Sequence, residues 1–340
     1  MESFRGALMN MHHVMGGPSP LTKVALVDDG VDINKFNKYL YASIQGNSYG
    51  GDTKAPLPWW ESNTSHGTLM ANMITRINPF VTLDVIKVEG KFRPKGTADA
   101  INAAVARGAD VISMSWTIEL PKITTWHGKP TLEGLEAQDL SSAVKNALKD
   151  NRRVLFCAAT DKAHLVGNDT LPYSAGQSKI FCIGSSTAYL KRDKGSGDGG
   201  YIDYFLPGKN VAEARPPYSN LPEVVHSGSS ISTALAAGLA SLIIHCAEYA
   251  EVCNKEMAKC GKWKFDVQKY RRWAYALRDP YWMRKAFENI RRSQEREDPK
   301  ILPVWSVFGT WAERLEYARS KEEKVIELNG LVDFICHGFD

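Results

Sequence analysis

The sequence predicts an α/β fold: a three-layer domain on a mostly parallel sheet, followed by a C-terminal helical extension. Three observations lead there. Short, continuous apolar runs alternate with helical stretches between residues 23 and 206, and strands apolar on both sides belong in parallel sheets covered on both faces. Residues 231–247 are apolar on every helical face, which places that helix inside the protein. Beyond Ala250 the alternation gives way to basic and aromatic residues at helical spacing, such as Val267, Tyr270, Ala274 and Leu277.

The elements follow in order. Residues 1–20 end in Gly16-Gly17-Pro18-Ser19-Pro20 and read as a flexible leader. Lys23–Val27 is a buried strand closed by Asp28-Asp29-Gly30. A carboxylate at the end of such a strand occupies the usual ligand position of an open α/β sheet, although Asp-Gly alone is also a plain turn. Ser65-His66-Gly67-Thr68 opens a helix over Leu69–Ile77, which Asn78-Pro79 stops. Strand Leu83–Val88, helix Thr97–Arg107 ended by Gly108, strand Val111–Trp116, helix Gly134–Leu148 and strand Val154–Ala159 come next. The last strand leaves the sheet through Thr160 and Asp161. Strands Ile180–Gly184 and Asp203–Leu206 flank a Gly/Asp-rich loop over 195–200, which is too irregular to cradle a phosphate. Pro207-Gly208 turns the chain into Ser227-Gly228-Ser229-Ser230 and the buried helix. Further helices are expected over Lys262–Leu277, Trp282–Arg292 and Trp311–Leu328. The domain boundaries are therefore a leader at 1–20, the α/β domain at 21–250 and a helical extension packed on it at 251–340.

Composition narrows the function classes. The 340 residues carry a net charge of +4, with 44% hydrophobic and 24% charged residues, as in soluble globular proteins. Between 262 and 300 basic residues outnumber acidic ones about two to one, but no nucleic-acid motif accompanies them. A helical cap that packs its aromatics and solvates its charges explains that stretch, so no nucleic-acid partner is expected. The apolar run over 231–247 is short for a membrane span. The first twenty residues lack the apolar core of a signal peptide, so a cytoplasmic location is expected. Six cysteines in this length make no disulfide framework. Cys157 and Cys182 lie in buried strands, and Cys246, Cys253 and Cys260 recur every seventh residue as one helix face. No His pair or CxxC accompanies them, so no metal site is read there.

Asp28, His66 and Ser230 each sit at a strand end or a helix start. A serine hydroxyl needs a base within hydrogen-bond reach to act as a nucleophile, and histidine can take and return that proton. A buried aspartate would orient the ring and stabilise its charged form. The first turn of a buried helix adds free N–H groups and the positive end of the helix dipole, which favour an anion beside Ser230. Each residue alone has a plain structural explanation: a turn, a satisfied histidine, a serine cap.

Together they resemble the subtilisin-like serine proteases, the subtilases, in which the order Asp, His, Ser is known. Val24-Ala25-Leu26-Val27-Asp28-Asp29-Gly30 resembles the family's aspartate motif, with an Asp-Asp-Gly variant similar to kexin-type members. Ser65-His66-Gly67-Thr68 resembles the histidine motif and Gly228-Ser229-Ser230 the nucleophile motif. Ile112-Ser113-Met114-Ser115-Trp116 resembles the strand that pairs with the substrate. Trp59-Trp60, Ser113-Met114-Ser115-Trp116 and Val304-Trp305 are similar to intracellular subtilase domains of filamentous fungi. The resemblance spans about residues 20–250 and implies a serine endopeptidase acting on a peptide or protein substrate. It implies a triad of Asp28, His66 and Ser230, and an oxyanion site from the Ser230 N–H and Asp161. Ser115, Trp116 and Thr117 would form one cleft wall, with Ala158, Ala159 and Thr160 opposite. Asp161 departs from the family's usual asparagine, and no stretch before Lys23 is long enough for an inhibitory propeptide. No organic cofactor is expected, and no acidic cluster has convincing calcium-ligand spacing. A second reading stays open: a catalytically weak or inactive subtilase-fold scaffold in a signalling protein.

Overall fold

The computed structural model describes the chain except for residues 17–21, 38–40, 50–56, 90–91, 123, 127–128, 161–166, 197–199, 214–223, 260–262, 264, 296–297 and 340. Its centre is a seven-stranded sheet of β1 (Lys23–Asp28), β2 (Ser43–Tyr49), β3 (Thr82–Val88), β4 (Val111–Met114), β5 (Val154–Ala158), β6 (Ile180–Ser186) and β7 (Tyr204–Pro207). The strand order is β7-β6-β5-β4-β1-β3-β2, and every ladder is parallel. Strand alternation divides the core. Val24 and Leu26 join one apolar cluster, Ala25 and Val27 the other. Helices α3 (Pro94–Ala106) and α4 (Leu132–Leu148) cover the second face. Helix α2 (His66–Ile77), the short α5 (Tyr173–Gly176) and α6 (Ser229–Ala258) follow in the chain, and α2 and α6 cover the first face.

Helix α6 is long and apolar enough to cross a membrane by length and composition, but 89% of its most apolar stretch is buried in the fold. It lies close against α2: a Cβ on Gly238 would come within 2.9 Å of the Ile74 carbonyl oxygen. Cys246 and Cys253 are buried free thiols, as are Cys157 and Cys182, and burial pushes the Cys182 thiol well above its ordinary pKa. Cys260 lies outside the described residues.

Three sequence expectations need correction. Most of the leader expected at 1–20 is not flexible: Glu2–Met15 is helix α1, with Phe4, Leu8 and Met11 wholly buried, and residues 17–20 lie outside the described residues. The spacing of Phe4, Ala7, Leu8 and Met11 is helical, and the Gly/Pro run after it masked a usable period. The His12 ring lies 3.0 Å, Nε2 to Nε2, from His245 of α6, stacked between Phe80 and Tyr249. Second, β2 was missed. It is an edge strand of polar character, held by its full-length ladder with β3 rather than by an apolar run. Third, the helix expected over 311–328 is two helices, α9 (Val304–Tyr317) and α10 (Lys321–Ile335). Ser320 begins the second with a capping box: its hydroxyl accepts from the Glu323 N–H, and Glu323 accepts from the Ser320 N–H.

The remaining helices, α7 (Val267–Ala276) and α8 (Pro280–Arg292), pack with α9 and α10 into the same apolar cluster as α1, α2 and α6. Phe287 of α8 reaches the sheet residues Phe156 and Phe181. Arg278 bridges Asp110 of the sheet end and Glu248 of α6, both at 2.6 Å.

Candidate active site

The chain runs from β1 outward to β3 and β2, then crosses to β4 on the opposite side. That reversal makes a crevice at the carboxyl ends of β1 and β4, where open α/β sheets place their ligands. Asp28 is the last residue of β1 and is wholly buried. By strand parity it points to the α2/α6 face, with Val24 and Leu26. There His66, the first residue of α2, donates from Nδ1 to both Asp28 oxygens, at 2.8 and 3.0 Å. A carboxylate only accepts, so the proton sits on Nδ1 and Nε2 is left as the basic nitrogen. Burial disfavours a charged His66 ring, but the adjacent Asp28 outweighs it and raises the histidine pKa. Burial also raises the Asp28 carboxyl, with the His66 ring opposing the shift.

The strand end beneath this pair is held by Trp116. Its indole donates to the Val27 carbonyl at 2.8 Å, it is 7% exposed, and its ring stacks on Phe92. The sequence suggested only a cleft wall here. The bond to Val27 is a long-range contact between β1 and the segment after β4.

Helix α6 begins beyond the carboxyl end of β5, two strands from β1, a separation of roughly 9–10 Å at the backbone. Three serines crowd its start, and their contacts set Ser230, the serine that the motif resemblance marks, apart from the other two. Ser229 Oγ donates to the Ala159 carbonyl at 2.6 Å. Ser232 Oγ donates to Leu206 and Pro207 carbonyls at 2.9 and 3.1 Å. Ser230 Oγ has no hydrogen-bond partner among the described residues, and its N–H lies in the first helical turn, where no intrahelical acceptor exists. No hydrogen bond joins Ser230 Oγ to the His66 ring. The Asp28–His66 half of the expected triad is a closed contact, and the serine half is an available hydroxyl.

Ser230 opens on a cleft of about 470 Å³ that Ser115, Trp116 and Thr117 line together with Ala158, Ala159 and Thr160. The two segments are tied: Thr117 Oγ1 donates to the Ala158 carbonyl at 2.6 Å. Asp193 and Lys209 also line the cleft, with their charges 3.7 Å apart, a feature that no motif signalled. Asp161, expected at the oxyanion site, lies outside the described residues. Asp29, the second carboxylate of the Asp-Asp-Gly stretch that resembles kexin-type members, is 5% exposed.

Comparison with known proteins gives the family and the fold. Residues 21–259, well over half of the chain, match the model of the subtilase family, peptidase S8. A major intracellular serine protease of Bacillus subtilis (strain 168) is 25% identical over 229 residues, covering 63% of this chain and 67% of that protein. Subtilisin-like protease 5 of Trichophyton verrucosum is 26% identical over 232 residues, covering 64% of this chain and 51% of that protein, so the chain spans about half its length. Among solved structures, the nisin leader peptidase NisP from Lactococcus lactis superposes with a TM-score of 0.59 at 15% identity, covering 91% of this chain and 95% of that one. A lanthipeptide protease superposes with a TM-score of 0.58 at 19% identity, covering 85% and 87%. At these identities the superpositions establish the fold. The chain belongs to the subtilase family.

Proposed function

We propose that this subtilase is a serine endopeptidase that hydrolyses peptide bonds through an acyl-enzyme. The observation that carries the reading is the contrast among three neighbouring serines. Two hydroxyls are committed to backbone carbonyls, and Ser230 Oγ alone is left open to the cleft. Ser230 Oγ attacks the substrate carbonyl carbon while His66 Nε2 takes its proton. The proton passes to the leaving amine as the C–N bond breaks, and water, deprotonated by the same nitrogen, then releases the acyl group. Asp28 keeps the ring in the required tautomer and balances its charge. Catalytic hydrogen bonds in substrate-free enzymes are often open and tighten with substrate, which accommodates the unmade Ser230–His66 bond.

The developing oxyanion would be met by the Ser230 N–H and by Asp161, which can donate only when protonated. Ser115 to Thr117 and Ala158 to Thr160 would flank the substrate chain. The chemistry requires no organic cofactor. The intracellular relative in Bacillus subtilis supports a cytoplasmic location. An active-site-directed fluorophosphonate tests the reading: it should label wild type and not Ser230→Ala. A folded wild-type protein that takes no label would favour the scaffold alternative.

A further inference from the structure

In the loop that delivers His66, Trp59 packs against the core while Leu57 is 51% and Trp60 50% exposed. Two buried charges hold the rest of it. Asp29 Oδ1 accepts from Ser62 Oγ and the Gly67 N–H, both at 2.8 Å. Its Oδ2 accepts from the Thr64 N–H and Thr64 Oγ1, both at 2.7 Å. From the sheet side, wholly buried Lys87 donates from Nζ to the Glu61 carbonyl at 2.8 Å and the Pro58 carbonyl at 3.2 Å.

The two backbone donors to Asp29 bracket Ser65 and His66. Ser65 has φ 65° and ψ 5°, a left-handed conformation that residues other than glycine seldom adopt and that needs its surroundings to sustain it. Gly67 fits only as glycine, since a Cβ there would stand 2.2 Å from the Gly30 carbonyl oxygen. Burying a carboxylate and an ammonium is unfavourable unless both are hydrogen-bonded. Here both make those bonds to one short loop. With its oxygens so occupied and its side chain buried, Asp29 does not present a charge to a substrate.

We propose that Asp29 is a positioning residue: it holds the Thr64–Gly67 backbone in the left-handed turn that brings His66 to Asp28, and Lys87 fixes the same loop from the sheet side. This rests on the reading of His66 as the catalytic base. Burial disfavours charge on Asp29, but its bonds to Thr64, Gly67 and Ser62 outweigh this and keep its pKa below the ordinary value. Its negative charge adds to that of Asp28 in raising His66 against burial. Lys87, Glu61 and Glu89 are the other charges near this group.

Asp29→Asn replaces one acceptor oxygen with an amide that cannot receive a backbone N–H. The expected result is a fall in kcat of about 10²-fold, the scale of a misplaced catalytic group, with KM nearly unchanged. The acid limb of the kcat/KM profile should move to lower pH. Adding Ser65→Gly should restore much of kcat, because glycine takes the left-handed turn without strain, but should not return the acid limb. The His66 imidazole titration, followed by NMR, should move down in Asp29→Asn and stay in place in Ser65→Gly. Wild-type kcat and wild-type His66 titration in Asp29→Asn would overturn the proposal. If Asp29→Asn fails to fold by circular dichroism, hydrogen exchange in the wild-type protein tests the same bonds: the Thr64 and Gly67 amides should exchange slowly because Asp29 accepts from both. Unprotected exchange at both amides would overturn the proposal equally. Failure of the peptidase reading would show separately, as a wild-type protein that fluorophosphonate does not label, and the NMR comparison would still stand.

Discussion

Replacing His12 with phenylalanine should make the protein less stable near neutral pH and more stable in acid. His12 joins α1 to α6 through a neutral pair with His245, one ring donating and the other accepting. Phe80, Tyr249 and Tyr41 enclose it. Burial first, and then the neighbouring His245, pull its pKa from 6.5 to about 2. Above pH 6.5 the ring is neutral folded and unfolded, and titration costs nothing. Below pH 6.5 the unfolded chain takes a proton that the folded one refuses until about pH 2, so stability falls across that window. By pH 4.5 the loss reaches about 2.7 kcal/mol for this one group. His12→Phe keeps the stacking but forfeits the hydrogen bond, worth about 1 kcal/mol. The stability curves should therefore cross near pH 6, and at pH 4.5 the variant should lead by roughly 1.5 kcal/mol. Urea unfolding followed by circular dichroism at pH 7.5 and pH 4.5 measures both. An equal deficit at the two pH values would mean that His12 is not held neutral in the fold.

Other outcomes follow from the site. Asp161→Asn should raise kcat/KM at pH 7 more than at pH 5.5, because an amide donates to the oxyanion at any pH; loss of subtilisin's own asparagine donor is known to cost roughly 10²–10³ in kcat. A slower Asp161→Asn at pH 7 would refute this. Trp116 and Thr117 line the cleft and Thr117 ties its two segments together, so a peptide library should show a small or flat apolar P1 side chain, and dominance of Arg or Lys would count against that. Truncation after Ala250 strips the partners of Phe156, Phe181 and α1, so the fragment should be insoluble or rapidly proteolysed; a soluble fragment with a cooperative melt would show the helices to be separable.

The sheet was legible because each central strand is buried on both faces, and such a strand must be a continuous apolar run whatever its neighbours are. Asp28, His66 and Ser230 were legible for a related reason: each stands where an apolar run stops or a helix starts, and those boundaries are local features of the chain. The edge strand Ser43–Tyr49 was not, since its ladder with β3 comes from a partner far along the sequence. The docking of α1 likewise depends on His245, 233 residues away.

Within the site the division is the same. The sequence by itself determined which residue types gather at the carboxyl edge of the sheet. Only the tertiary structure decided what each side chain does there. It committed Ser229 and Ser232 to carbonyls and left Ser230 open. It turned Asp29 from the cleft into the His66 loop, and it set the Trp116 indole under β1. The physical reason is that apolar period and strand termination are properties of a few consecutive residues. A hydroxyl or carboxylate can satisfy its hydrogen bonds in several directions, and which one it takes depends on the backbone groups that distant segments bring beside it.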